Sequence, residues 1–206
     1  EEEKLNICQL SRALTKERLT PQQVLPALYL SENNYNGIIL AHNVGTGKTY
    51  AAINTSQVLL RRNIVKRVLV ITPTSLQYNF IDQFKKYNKD LATDPRYTYY
   101  TPTSFLIGMQ KNEIPCGEDT LLIIDEAHNY RTDIGSMEPY TELKGDGSRV
   151  RAVFKFLSQC VDKVVKVLLL TATPFVNQFS DIENLLAMVQ RRAPRKFKHG
   201  QTPEER

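Results

Sequence analysis

The chain is poor in the residues that build unusual scaffolds. Its three cysteines, Cys8, Cys116 and Cys160, are an odd number at wide spacings. Neither a disulfide framework nor a zinc cluster is indicated, and an intracellular, reducing compartment is expected. Glycine and proline number only 9 and 10 in 206 residues, which excludes a collagen-like or low-complexity chain. No apolar run approaches the roughly 18 residues of a membrane span, and the charged start Glu1-Glu2-Glu3-Lys4 resembles no signal peptide. The opening Glu1, in place of an initiator methionine, suggests an excised fragment. What is present is 41% hydrophobic and 24% charged residues, enough for one good-sized core and a single compact domain. Twenty-seven Lys and Arg against 22 Asp and Glu give a formal charge of +5, which suits a phosphate-rich partner.

Short apolar runs recur at Gly37 to Leu40, Val68 to Ile71, Leu121 to Ile124 and Val167 to Leu170, and read as strands buried on both faces. Between them, Leu76, Phe80 and Phe84 repeat every four residues. Val150, Val153, Phe154 and Leu157, and again Ile182, Leu185, Leu186 and Val189, follow the spacing of one helix face. Strands alternating with helices predict an α/β fold with a parallel sheet covered on both sides. Asp133 to Ser148, with Gly135, Gly145, Gly147 and mixed charge, predicts a mobile surface loop. Residues 191–206, with Arg191, Arg192, Arg195, Lys196 and Lys198, read as a basic tail or linker.

Directly after the first run comes Ala41-His42-Asn43-Val44-Gly45-Thr46-Gly47-Lys48-Thr49, then the helix-compatible Tyr50-Ala51-Ala52-Ile53. Glycines at 45 and 47 let the backbone curl so that successive N–H groups, from Val44 to Tyr50, face a phosphate at a helix start. Lys48 is placed to reach the β- and γ-phosphates of a nucleotide and Thr49 to offer its hydroxyl to Mg²⁺. His42 stands where the strict pattern has glycine. The third run ends in Asp125-Glu126-Ala127-His128. Carboxylates at the C-terminal end of a buried strand sit where ligands bind, so Asp125 is expected to hold Mg²⁺ and Glu126 to orient and deprotonate the attacking water. The competing reading is an acidic helix N-cap. The phosphate loop is expected on a neighbouring strand of the same sheet.

These residues resemble the superfamily 2 helicases and translocases: Ala41 to Thr49 is similar to motif I of their first RecA-like lobe and Asp125 to His128 to a DEAH-type motif II. Leu168-Leu169-Leu170-Thr171-Ala172-Thr173-Pro174-Phe175-Val176-Asn177, with Asp181 to Leu186, resembles motif III of the SNF2-related branch. The resemblance covers roughly Leu19 to Val189. It implies a RecA-like lobe over residues 1–190 that uses ATP and Mg²⁺, tracks nucleic acid, duplex DNA foremost, and works with a second RecA-like lobe, of which no unit is recognisable after Gln190. It further implies that Gln23 reads the adenine edge, although Gln22 and Gln23 also suit a helix start. Pro73, Thr74 and Ser75, and less closely Thr103 and Ser104, would touch a phosphate backbone. His128, Thr171 and Thr173 would relay the state of the γ-phosphate. Asn43 to Gly47 and the tyrosines at 97, 99 and 100 resemble the SNF2-like transcription ATPases of large DNA viruses, the group of nucleoside triphosphate phosphohydrolase I and the early transcription factor small subunit, which implies transcription machinery as a partner and no membrane.

Overall fold

The computed structural model describes residues 6–15, 18–41, 45–131, 143–173 and 180–195. Five strands form one parallel sheet: β1 (Gly37–Ala41), β2 (Arg67–Ile71), β3 (Tyr97–Tyr100), β4 (Thr120–Ile124) and β5 (Val165–Thr171). Their spatial order is β1-β5-β4-β2-β3. Every residue of β4 and β5 is buried, as expected for central strands covered on both faces. Alternation along the strands divides the core. Val68, Val70, Leu121, Ile123, Leu168 and Leu170 face helices α1 (Ile7–Leu14), α2 (Pro21–Ser31), α3 (Lys48–Arg61) and α4 (Thr74–Tyr87). Leu69, Ile71, Leu122, Ile124, Val167 and Leu169 face α5 (Pro102–Gln110), α6 (Ser148–Gln159) and α7 (Ser180–Gln190).

The α/β architecture and the four apolar strands are as expected. Three features differ from the sequence reading. Tyr97–Tyr100 forms a fifth strand at the sheet edge, paired to β2. It lacks an aliphatic run because its rings do the packing: Tyr97 lies 5.0 Å from the Phe84 ring and its hydroxyl meets Ser56 and accepts from Gln57 Nε2 at 2.8 Å. Secondly, β5 lies between β1 and β4, so the glycine loop and the acidic turn are next-nearest rather than neighbouring strand tips. Thirdly, Cys116 and Cys160 are joined in a disulfide, with Cα atoms 5.3 Å apart, against the expectation of unpaired thiols. Although 44 residues apart in sequence, both precede strands and so meet at the edge where the strands begin. Cys8 is free and exposed.

Of the segment expected to be mobile, residues 133–142 lie outside the described residues, while Leu143 is buried in the core and its carbonyl accepts from Gln110 Nε2 at 2.6 Å. Arg191 donates to the carbonyls of Cys160 (2.7 Å) and Lys163 (3.2 Å), and Arg192 forks onto the buried Glu183. Lys196 and Lys198 lie outside the described residues. Among the described residues no helix is long and apolar enough to cross a membrane.

Candidate nucleotide site

Parallel pairing in register brings the ends of all five strands to one edge. Ala41 pairs with Thr171, Leu169 with Ile124, and Ile71 with both Ile124 and Tyr100. The segments singled out from sequence leave the sheet there, at the edge where ligands of open α/β folds bind.

Of the glycine loop, His42, Asn43 and Val44 lie outside the described residues. Gly45 and Gly47 both have left-handed backbones, at φ of 83° and 82°, and Gly47 is the N-cap of α3. The two glycines are required for different reasons. A Cβ on Gly45 would meet nothing within 4 Å, whereas one on Gly47 would stand 2.2 Å from Gln23 Nε2. Gln23 therefore lies against the loop. It is also the helix start that its sequence allows, since its Oε1 accepts from the N–H of Thr20 at 2.9 Å in the capping box of α2. Lys48, Thr49 and Tyr50, half-buried, form the first turn of α3, with Thr46 exposed before them.

Asp125 follows β4 and extends the sheet by one bond, from its N–H to the Ile71 carbonyl at 2.8 Å. Both its carboxylate oxygens are held: Oδ1 by the N–H of Glu126 at 2.9 Å, Oδ2 by the Thr72 hydroxyl at 3.2 Å. Burial raises its carboxyl above the ordinary aspartate range and the Glu126 charge adds to this; the two hydrogen bonds and the Lys48 ammonium pull the other way. Each oxygen keeps a lone pair for a further partner. Glu126 itself is left-handed, at φ 52°, a conformation that costs a side-chain-bearing residue about 1–3 kcal/mol. The chain is held there by the Asp125 bond on one side and by the Asn129 N–H on the Glu126 carbonyl (3.0 Å) on the other. The twist starts the 3-10 turn Ala127–Tyr130, whose N-cap position Glu126 takes without making a side-chain cap bond. His128 Nδ1 stands 3.0 Å from Glu126 Oε2, close enough to pair when protonated, though out of line for a hydrogen bond.

Thr171 closes β5, buried, and its hydroxyl accepts from the Thr173 N–H at 3.2 Å. Among the described residues His128 bonds to neither threonine; the link from the 3-10 turn runs from Arg131 Nη2 to Thr173 Oγ1 at 3.4 Å. Pro73 is the N-cap of α4, with Thr74 and Ser75 exposed in its first turn and no side-chain cap. Ser104 is occupied differently: it completes the capping box of α5 with Thr101. Thr103 accepts from Arg149 at 3.3 Å. From sequence Arg131 has no role, and Thr72 only a place in the Ile71 to Leu76 stretch likened to a phosphate-backbone contact. Thr72 stands between a strand end and a proline, and only the sheet order reveals that it faces Asp125.

Residues 9–176 match the family described as "Type III restriction enzyme, res subunit". The chain is 28% identical over 157 residues to a protein of Acanthamoeba polyphaga mimivirus named "Putative ATP-dependent RNA helicase", covering 76% of this chain and 29% of the relative. It is likewise 28% identical over 193 residues to a protein of Invertebrate iridescent virus 3 named "Putative helicase", covering 76% of this chain and 18% of that one. The chain thus spans less than a third of these relatives. The fold matches the SWI2/SNF2 ATPase core of Sulfolobus solfataricus, solved with dsDNA, at a TM-score of 0.63 and 21% identity, over 86% of this chain and 37% of that one. It matches the Hef helicase domain of Pyrococcus furiosus at 0.59 and 19%, over 82% and 35%. With its five-stranded parallel sheet and its glycine loop and acidic turn at one edge, the chain belongs to the type III restriction enzyme res-subunit family.

Proposed function

We propose that this lobe binds ATP with Mg²⁺ and, completed by a second RecA-like lobe, hydrolyses it to drive movement along nucleic acid, duplex DNA foremost. The observation that carries this reading is the acidic turn. Asp125 is fixed through both oxygens at a strand tip within the field of Lys48, and Glu126 is held beside it in a conformation that ordinary capping would not require.

The division of labour follows from chemistry. Lys48 offers a compact positive charge to the β- and γ-phosphates. Hard oxygen donors suit Mg²⁺, which keeps waters and phosphate oxygens in its shell and needs only one or two protein ligands. Thr49 and Asp125 fit that sparse set, and among the described residues no three His, Cys, Asp or Glu gather into a fuller cage. Mg²⁺ bound there would neutralise charge developing on the phosphates. Glu126 accepts a proton from the attacking water, with His128 Nδ1 3.0 Å from its carboxylate. Charge stabilisation from a second lobe is worth about 10³–10⁵ in rate in related phosphoryl transfers, so the lobe alone should bind ATP far better than it turns it over. The exposed start of α4, at Pro73 to Ser75, would meet phosphates without reading bases. Relatives from two viruses support a viral setting, and transcription is the task the sequence resemblance favours.

The test is Mg²⁺-ATP turnover by the full-length parent protein with duplex DNA, with RNA and with neither, using Glu126→Gln as control. Stimulation by duplex DNA, with loss of about 10²–10⁴ in rate in Glu126→Gln and retained ATP binding, is the expected result. Stimulation by RNA alone would replace the polymer. Background turnover with intact binding would make the lobe a nucleotide-gated module instead.

A further inference from the structure

We infer that Thr72 is a positioning residue for ATP hydrolysis, its hydroxyl holding Oδ2 of Asp125 in place. The inference rests on the reading of Asp125 as part of the phosphoryl-transfer site.

Thr72 is fully buried and immobilised from two directions. Its own N–H donates to the Tyr100 carbonyl of β3 at 3.0 Å, while the carbonyl just before it, on Ile71, accepts from the Asp125 N–H at 2.8 Å. The hydroxyl sits between those two clamps and reaches Asp125 Oδ2 at 3.2 Å. The ordinary task of a threonine just before a helix is to cap it. Here Pro73 occupies the N-cap and α4 receives no side-chain cap, so the hydroxyl is spent on Asp125 instead.

The two bonds to Asp125 differ in kind. The Glu126 N–H is the next residue and moves with the acidic turn itself. Thr72 follows the end of a different strand, β2, 53 residues away, and fixes the carboxylate relative to the sheet. Without it, the carboxylate could rotate about its side-chain bonds while the backbone stayed in place. Groups that orient a metal-binding carboxylate typically change metal affinity or activity about 10–100-fold when removed. Valine has nearly the same shape but cannot donate, and serine keeps the donor with less volume.

The experiment compares wild type, Thr72→Val, Thr72→Ser and Glu126→Gln in the full-length parent protein. Binding of a fluorescent ATP analogue is titrated at stepped Mg²⁺ concentrations, and kcat, KM and Tm are measured alongside. Thr72→Val should lower kcat about 10-fold or more and raise the Mg²⁺ needed for half-maximal analogue binding by a similar factor, with Thr72→Ser close to wild type in both. Wild-type kcat and Mg²⁺ requirement in Thr72→Val would overturn the inference. So would equal losses in both variants that track a lowered Tm, since the hydroxyl would then matter only through packing. Full turnover by Glu126→Gln would instead overturn the reading of the site, and the Mg²⁺ dependence of binding would still report on Thr72 separately.

Discussion

Where the strands of this sheet begin, Lys166 of β5 is only 3% exposed, yet its ammonium donates to the carbonyls of Glu32 at 2.9 Å and Tyr35 at 2.5 Å. Arg67, at the start of β2, is satisfied in the same way by Thr120 Oγ1 and the Pro115 carbonyl. Where the strands end, Asp125 carries a carboxyl raised by burial and crowded by Glu126, and Glu126 sits in a strained backbone. Both edges desolvate charge. At the first, fixed carbonyl and hydroxyl partners answer it; at the second, Asp125 keeps lone pairs for a further partner. The difference separates a structural edge from the edge where the proposed site lies, without reference to any motif.

The largest effect expected from breaking this comparison lies at the structural edge. Cys116 and Cys160 close a loop across it, 44 residues apart, and crosslinks of that span commonly contribute about 2–4 kcal/mol. Cys116→Ser should lose stability of that order in urea unfolding, and wild type should match it once reductant is added. ATP turnover below the unfolding range should not change. Equal stability with and without reductant would show that the thiols are free in solution. A fall in turnover without a fall in stability would mean that the two edges are not separable as described.

A smaller, sharper test lies within the phosphate loop. Gly45→Ala and Gly47→Ala both force a side chain into left-handed backbone, about 1–2 kcal/mol each. Only the Gly47 change also drives out Gln23, which releases its bond to the Thr20 N–H and costs about 1 kcal/mol more. Gly47→Ala should therefore melt lower than Gly45→Ala and bind ATP more weakly, with Gln23→Ala narrowing the gap between them. Identical behaviour of the two glycine variants, in melting and in a nucleotide titration, would remove Gln23 from the site.

Sequence made the central sheet readable because β2, β4 and β5 are buried on both faces, so their aliphatic runs have no polar alternation to hide them. The loop at Gly45 to Thr49 and the carboxylates Asp125 and Glu126 stand out in the sequence because the proposed chemistry demands those residue types next to strand ends, and the sheet places them there. β3 was missed: an edge strand packed by Tyr97 and Tyr99 looks like no buried run. The insertion of β5 between β1 and β4, the disulfide, and the role of Thr72 were missed for one shared reason. Each depends on which distant segments the crossovers bring side by side, and local periodicity carries no record of that. Glu126 could be named as a base from its place after Asp125, but its left-handed backbone belongs to the three-dimensional clamp around it.

The smallest expected effect is also the one whose sign distinguishes the edges. Asp125 titrates higher in the folded chain than in the unfolded one, chiefly through burial. A carboxyl shifted in that direction gives its stabilisation in full below the unfolded pKa, and loses it as pH rises through the folded pKa. At neutral pH its charge therefore opposes folding. Asp125→Asn removes the charge and keeps an oxygen to accept from the Glu126 N–H, so the variant should melt at or above wild type at pH 7–8 while losing turnover. Its advantage should shrink as pH falls through the carboxylate range, where wild type becomes neutral as well. Removing the buried charge at the other edge, with Lys166→Ala, strands the Glu32 and Tyr35 carbonyls and should instead cost about 1–3 kcal/mol. Melting curves of both variants between pH 4 and 8 read the two signs directly. An Asp125→Asn variant that melts well below wild type at pH 8 would mean that the carboxylate stabilises the fold, and that the edge where the strands end is no more strained than the edge where they begin.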